Sequence, residues 1–209
     1  MYPTQDHSLY GFYKPFFDTR TGQIFILCAP KAHIRDGLSA ILIARLFGCP
    51  SFKGITIEPS RPTIQPAANI VLVGRASLFI DRDLEAVRGK KPLAVGYAKL
   101  GQRLDEISRM SCYRFSGSGN RALVNRLAGT KFAAEDRDRF GKEVDYGVIR
   151  RVFRCAGENT IQVEGIHGLG TMGAAKVATT PANLEEVWEA VSQIEDYDPS
   201  LPLEILVRT

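Results

Sequence analysis

The stretch from Thr160 to Ala178, TIQVEGIHGLGTMGAAKVA, decides how the rest of the chain is read. It opens on β-branched residues in alternation, Ile161 and Val163, the pattern of a strand whose branched side chains pack on a pleated surface. Gly165, Gly168, Gly170 and Gly173 follow, and then Ala174, Ala175, Lys176, Val177 and Ala178, which suit a helix. Gly168-Leu169-Gly170-Thr171-Met172-Gly173 has the spacing G-x-G-x-x-G between a strand and a helix, the context that gives this spacing its meaning. A turn of this kind aims backbone N–H groups outward at the positive end of a helix, where an anion can sit.

Upstream, strands and helices alternate. Gly22 to Ala29 (GQIFILCA) is a continuous apolar run, as in a buried strand, and Pro30-Lys31 ends it. Ile34, Leu38, Ile41, Leu42 and Leu46 recur at helical spacing, with Gly48 as the stop. Phe52 to Glu58 reads as a second strand, and Pro59, Pro62 and Pro66 mark an extended link. Asn69 to Val73 (NIVLV) is the plainest buried strand, turning away at Gly74-Arg75-Ala76-Ser77. This rhythm predicts a Rossmann-like three-layer α/β fold with a mostly parallel sheet.

Further on, 81–89 reads as a short helix and 92–95 as a strand. Tyr97, Leu100, Leu104, Ile107 and Met110 give an amphipathic helix over 96–110. Cys112 to Phe115 suggests a strand, Ser116 to Asn120 a glycine loop, and RALVNRLAG beyond it a helix capped by Asn120. VDYGVIRRVF and NTIQVEGI are two strands with Gly157 in the link between them, which predicts an antiparallel hairpin near the C-terminal part. Thr180 and Pro181 start a helix striped by Leu184, Val187, Trp188, Val191 and Ile194, and Leu203 to Val207 reads as a strand.

No repeat or boundary divides the 209 residues, so one α/β domain over 1–209 is expected, with an aromatic N-terminal arm over 1–20. Tyr2, Tyr10, Phe12, Tyr13, Phe16 and Phe17 make that arm apolar enough to pack on the domain or on a partner subunit. Only Lys14 interleaves with them, too little charge for a base-stacking platform. No run of about 18 apolar residues predicts a membrane span, and no basic-then-apolar leader opens the sequence. A cytoplasmic protein without a membrane partner follows. Cys28, Cys49, Cys112 and Cys155 are scattered as in a reduced protein. His7, His33 and His167 lack metal-ligand spacing, so neither metal nor cofactor is expected.

Charge is unevenly spread. Residues 82–154 hold 17 Lys and Arg against 9 Asp and Glu, whereas residues 155–209 hold 2 against 9. The basic residues are interleaved with acids, as in DRDRF at 136–140, so acidic elements lying against basic ones, within the fold or across a homodimer, are favoured over a nucleic-acid face.

The chemical candidates gather at the ends of the expected strands, where open α/β sheets bind ligands. Lys31 and Arg75 supply cations, Ser77 and Thr171 hydroxyls, and Gly74, Gly168, Gly170 and Gly173 close backbone approach, a set suited to a phosphate or carboxylate. The glycine turn resembles the dinucleotide-binding fingerprint of Rossmann folds over about 19 residues. It departs from that fingerprint where an acid should end the next strand and hold the ribose. There the sequence reads LEILVRT, so a standard NAD dehydrogenase is not expected. His167 in the turn and Glu164 before it are the candidate acid/base residues, with Asp145 and Tyr146 brought toward them by the hairpin. Cys28 is a candidate nucleophile set against an inert buried thiol. The function expected is a binding or sensor domain, in signalling, for a nucleotide or other phosphorylated small molecule. The alternatives are an enzyme acting on a nucleotide or nucleoside by glycosidic-bond cleavage or transfer and, below it, a nucleic-acid-associated protein.

Overall fold

The core begins with β1 (Ile24–Cys28) and β3 (Asn69–Val73), which pair in parallel through five residues each, from Ile24 beside Asn69 to Cys28 beside Val73. All of β3 is buried, as its unbroken apolar run requires of a strand covered on both faces. The computed structural model describes residues 12–13, 24–28, 34–47, 55–56, 69–74, 95–116, 122–135, 141–153, 158–194, 198 and 201–209, with the backbone alone at 55–56 and 95–101. Helix α1 (Ile34–Leu46) follows β1, and β2 (Ile55–Thr56) lies on the outer side of β1. Helix α2 (Val95–Met110) leads to β4 (Tyr113–Ser116), β5 (Ala122–Asn125) and β6 (Lys131–Ala133). Then come β7 (Tyr146–Val152), β8 (Thr160–Gly165), α3 (Gly168–Thr179), α4 (Pro181–Ser192) and β9 (Leu203–Arg208).

The main sheet has six strands in the order β2-β1-β3-β8-β7-β9. β2, β1, β3 and β8 run parallel, whereas β7 is antiparallel to both β8 and β9. A second sheet, β4-β5-β6, is antiparallel throughout. The fold is therefore mixed α/β and corrects the expected Rossmann-like, mostly parallel sheet: four of the seven strand pairings are antiparallel. Two physical features account for the difference. The expected β7–β8 hairpin is present, but β9 returns antiparallel along the outer side of β7, which makes that half of the sheet antiparallel. The second face of the sheet is also covered differently, by a small sheet where a doubly wound fold would carry helices.

Alternation along the strands shows the two faces. Ile149, Ile161, Val163, Val71 and Val73 join Ala40, Ile43 and Ala44 of α1 and Ala174, Ala175 and Ala178 of α3 in the larger core. The alanines let the two helices lie close together on the sheet, since a methyl group is all that separates their backbones. On the opposite face Leu123, Val148 and Ile166 pack with Tyr113, Phe115, Phe132, Tyr146 and Leu206, which fastens the small sheet over the antiparallel side.

Of RALVNRLAG, expected as a helix, the stretch from Ala122 to Gly129 folds instead as β5 and a turn. Asn125 accepts the N–H groups of Leu127 and Ala128 through Oδ1 at 2.9 and 3.0 Å, and Gly129 closes the turn at φ +68°. Asparagine competes with helix by just such local bonds. The stretches 81–89 and 92–94, the Ser116–Asn120 loop beyond Ser116, and Gly157 lie outside the described residues.

Phe12 and Tyr13 of the aromatic arm are fully buried. The Tyr13 hydroxyl donates to the Ala178 carbonyl at 2.8 Å, and burial pushes its phenol well above the ordinary tyrosine range. Phe12 also lies 5.2 Å from the guanidinium of Arg151, which Phe153 and Trp188 flank at 4.5 and 5.3 Å. The lone tryptophan thus packs partly against the core. Among the described residues no helix is long and apolar enough to cross a membrane.

Candidate functional site at the strand carboxyl ends

Strand order places the ends of β1, β3 and β8 side by side, because β3 lies between the other two and all three are parallel. At that edge the chain leaves β1 for α1, leaves β3 through Gly74, and leaves β8 through Gly165, Ile166 and His167 into α3. β7 starts at the same edge, since Gly147 is paired with Gly165. Asp145, the residue before β7, therefore meets the glycine turn.

Asp145 is 1% exposed, and its carboxylate fills the turn. Oδ2 accepts the N–H of Gly170 at 2.6 Å and that of His167 at 3.1 Å, while Oδ1 accepts the N–H of Tyr146 at 2.8 Å. His167 is the residue at the start of α3, and its own side chain makes no capping bond. A carboxylate 25 residues away does the capping instead, satisfying two N–H groups at the positive end of the helix. The Asp145 backbone is tied in turn to Thr209, with N–H···O bonds in both directions at 3.2 and 3.0 Å and the Thr209 hydroxyl donating to the Asp145 carbonyl at 3.1 Å.

The glycines of the turn serve close packing. A Cβ at Gly170 would fall on the carbonyl of Tyr146, one at Gly147 on the carbonyl of Gly170, and one at Gly165 on the N–H of Thr171. Gly173 differs, since a Cβ there would meet the Thr209 side chain. Thr171 is buried, and its hydroxyl turns back to the His167 carbonyl at 3.4 Å. Gly168 is half-buried at the mouth of the turn.

His167 is 54% exposed in its side chain, with Nδ1 3.9 Å from Asp145 Oδ1, beyond hydrogen-bond reach. Glu164 faces the other side of the sheet. Its Oε2 accepts from Arg150 Nη1 at 3.1 Å, and Arg150 also donates to Glu204 Oε1 at 2.8 Å, Gln162 Oε1 at 3.3 Å and the Tyr113 carbonyl at 2.9 Å. Glu164 and His167 are thus not brought together. The Arg150 cluster joins the two sheets, with Glu204 Oε2 accepting the Cys112 N–H. Cys28 is buried at the end of β1. Lys31, Arg75 and Ser77 lie outside the described residues.

The carboxylate that stands out is one not singled out from the sequence. Asp36, in the first turn of α1, is 9% exposed, and its Oδ1 has no hydrogen-bond partner among the described residues. It presses on Gly74, where a Cβ would lie 2.8 Å from Asp36 Cγ. Gly74 also takes φ +62°, in the left-handed region that favours glycine, and donates its N–H to Val163 at 2.8 Å. Arg35 pairs with Glu143 at 3.6 Å, which ties the start of α1 to the segment that carries Asp145. An acid in a helix's first turn is ordinary on dipole grounds, so the sequence held no signal to distinguish Asp36. Among the described residues no group of His, Cys, Asp and Glu is arranged to hold a metal. Compared with known proteins, the chain matches no family model, no curated protein and no solved structure.

Proposed function

We propose that this domain binds a nucleotide or similar phosphorylated small molecule, as a receptor or sensor, across the carboxyl ends of β1, β3 and β8. The observation that carries the proposal is the buried Asp36 carboxylate, with Oδ1 unsatisfied beside Gly74. A buried acceptor left without a donor costs about 1–3 kcal/mol, and an orphan of this kind calls for a reason. A ligand donor supplies one. A ribose offers adjacent hydroxyls and a base offers amino groups, and a carboxylate accepts from either. The phosphate belongs away from the α3 turn, because Asp145 already occupies two of its N–H groups and would repel a second anion. Lys31, Arg75 and Ser77 are the cationic and hydroxyl residues that flank α1 and Gly74 in sequence and suit it.

The test is thermal stability with adenine and guanine mono-, di-, tri- and cyclic nucleotides. Ligand at about 100 times its dissociation constant adds about 2.7 kcal/mol to the wild type, a rise of several degrees. Asp36→Asn should lose that rise while melting no lower than wild type, since it takes away no hydrogen bond among the described residues. If no nucleotide raises the wild-type midpoint, or if Asp36→Asn keeps the full rise, the proposal fails. A second reading, turnover of the bound nucleotide, is favoured by one observation, the exposed imidazole of His167 at the same edge. Released base or phosphate that disappears in His167→Gln would establish it.

A further inference from the structure

Among the described residues β9 is an edge strand, paired on one side only. Its six residues hold unbroken register with β7, from Leu203 beside Arg151 to Arg208 beside Tyr146. Asp145 and Thr209 exchange both backbone hydrogen bonds. The alternation of an antiparallel ladder then directs the N–H and C=O groups of Val207, Ile205 and Leu203 to β7 and those of Glu204, Leu206 and Arg208 outward. Among the described residues none takes these outward groups. The opposite edge of the sheet is β2, only two residues long. Natural sheets blunt long edges with proline, a bulge or a very short strand. β2 is short, but LEILVR has neither proline nor bulge, and its two charged residues, Glu204 and Arg208, are of opposite sign.

We infer that β9 pairs antiparallel with β9 of a second copy, giving one continuous sheet with six strands from each subunit. The side-chain pattern fixes the register. Only outward-facing residues can stand opposite one another, so Glu204, Leu206 and Arg208 meet their counterparts. With the two-fold axis at Leu206, all three engage: Leu206 faces Leu206, and each Glu204 faces an Arg208. About two N–H···O bonds form at each such pair, about six in all. An axis at Ile205 or Val207 keeps only two such pairs and sets Leu206 against Glu204 or Arg208, and an axis at Glu204 or Arg208 sets like charges opposite each other, which disfavours those registers. Arg208 is exposed and the Glu204 carboxylate, though accepting from Arg150 and Cys112, retains lone pairs for a further donor. On the helix-bearing face Ile205 falls opposite Val207, an apolar pair suited to a dimer contact. The arrangement is isologous and closes at two subunits.

Sedimentation equilibrium over a concentration series tests this on the whole chain. Wild type should dimerise, and Arg208→Glu, which sets Glu against Glu twice, should raise the dimer dissociation constant about tenfold or more. Arg208→Pro removes an outward N–H that β7 does not use and should do the same, with a thermal midpoint near that of wild type diluted to monomer. Hydrogen exchange provides a readout without substitution: the amides of Glu204, Leu206 and Arg208 should gain protection as the dimer forms. A wild type that stays monomeric overturns the inference. So does a dimer unaffected by both substitutions, or one in which those three amides exchange as freely as in the monomer.

Discussion

Replacing Asp145 with alanine removes the acceptor of three backbone N–H groups, those of Tyr146, His167 and Gly170, from a site that is 1% exposed. Each such bond contributes about 1–1.5 kcal/mol net, somewhat more when the acceptor is charged, so the loss comes to about 3–4 kcal/mol. Loss of the carboxylate from the positive end of α3 adds up to about 1 kcal/mol more. The cavity left by a carboxylate is small and polar-lined, so water can recover part of the bonding. For a chain of this size each kcal/mol moves the midpoint by about 2–4 °C, and a fall of about 6–16 °C is expected. Urea unfolding should show a lower midpoint with an unchanged slope, because the folded surface is the same. Amides of α3's first turn should exchange faster than those of β3, since the damage is local to one helix end. A variant melting within about 2 °C of wild type would refute the assignment of Asp145 as the internal anion of the glycine turn.

The other substitutions follow from the same geometry. Gly170→Ala and Gly147→Ala drive a methyl onto backbone carbonyls and should each cost about 3 kcal/mol or more, whereas Gly173→Ala meets only the Thr209 side chain and should cost less; equal midpoints for the three would contradict the packing role. Arg150→Ala leaves the buried Glu164 and the half-buried Glu204 without their shared cation and should cost about 3–5 kcal/mol by urea unfolding. Tyr13→Phe should cost about 1 kcal/mol for the lost bond to Ala178. The raised Tyr13 phenol also carries a pH signature. Its folded-state value lies above the unfolded one, so its contribution is complete below about pH 10 and falls as pH rises past that point. The stability difference between wild type and Tyr13→Phe should therefore shrink above about pH 10 and stay constant below it.

How much of this was legible in the sequence depended on whether a residue's neighbours were local. Helix α1 and strands β1, β3 and β8 carry their signal in their own spacing, and each forms where that spacing put it. RALVNRLAG has helical spacing too, yet it pairs with β4 and β6, because a partner on either side satisfies the strand's backbone and Asn125 rewards the turn. The direction of β7 relative to its neighbours rests on chain length between strands, but the small sheet on the second face has no counterpart in the local pattern. At the site, the glycine turn was visible and its occupant was not. G-x-G-x-x-G specifies that something comes close to the backbone. Whether that is a ligand or the carbonyl of Tyr146 and the carboxylate of Asp145 depends on residues over twenty positions away.

Asp36 and Asp145 sharpen this distinction, since both are buried aspartates at one edge of one sheet. Asp145 has its acceptor capacity met by three N–H groups and a helix dipole. Asp36 sits near a helix start as well, but among the described residues nothing donates to its Oδ1, and a side chain at Gly74 would collide with it. A folding role accounts for the first, whereas at the second an unsatisfied buried acceptor subtracts from stability. The isosteric change to asparagine separates the two roles by sign. At Asp145 one oxygen becomes an NH₂ facing N–H donors, and stability should fall by about 2–3 kcal/mol. At Asp36 the same change relieves a buried carboxylate whose Oδ1 no described residue satisfies, which offsets the lost helix-start interaction, and stability should hold or rise by up to about 1 kcal/mol, the trade expected of the proposed ligand site. A fall at Asp36 matching that at Asp145 would make both residues structural and remove the main support for a ligand at this edge.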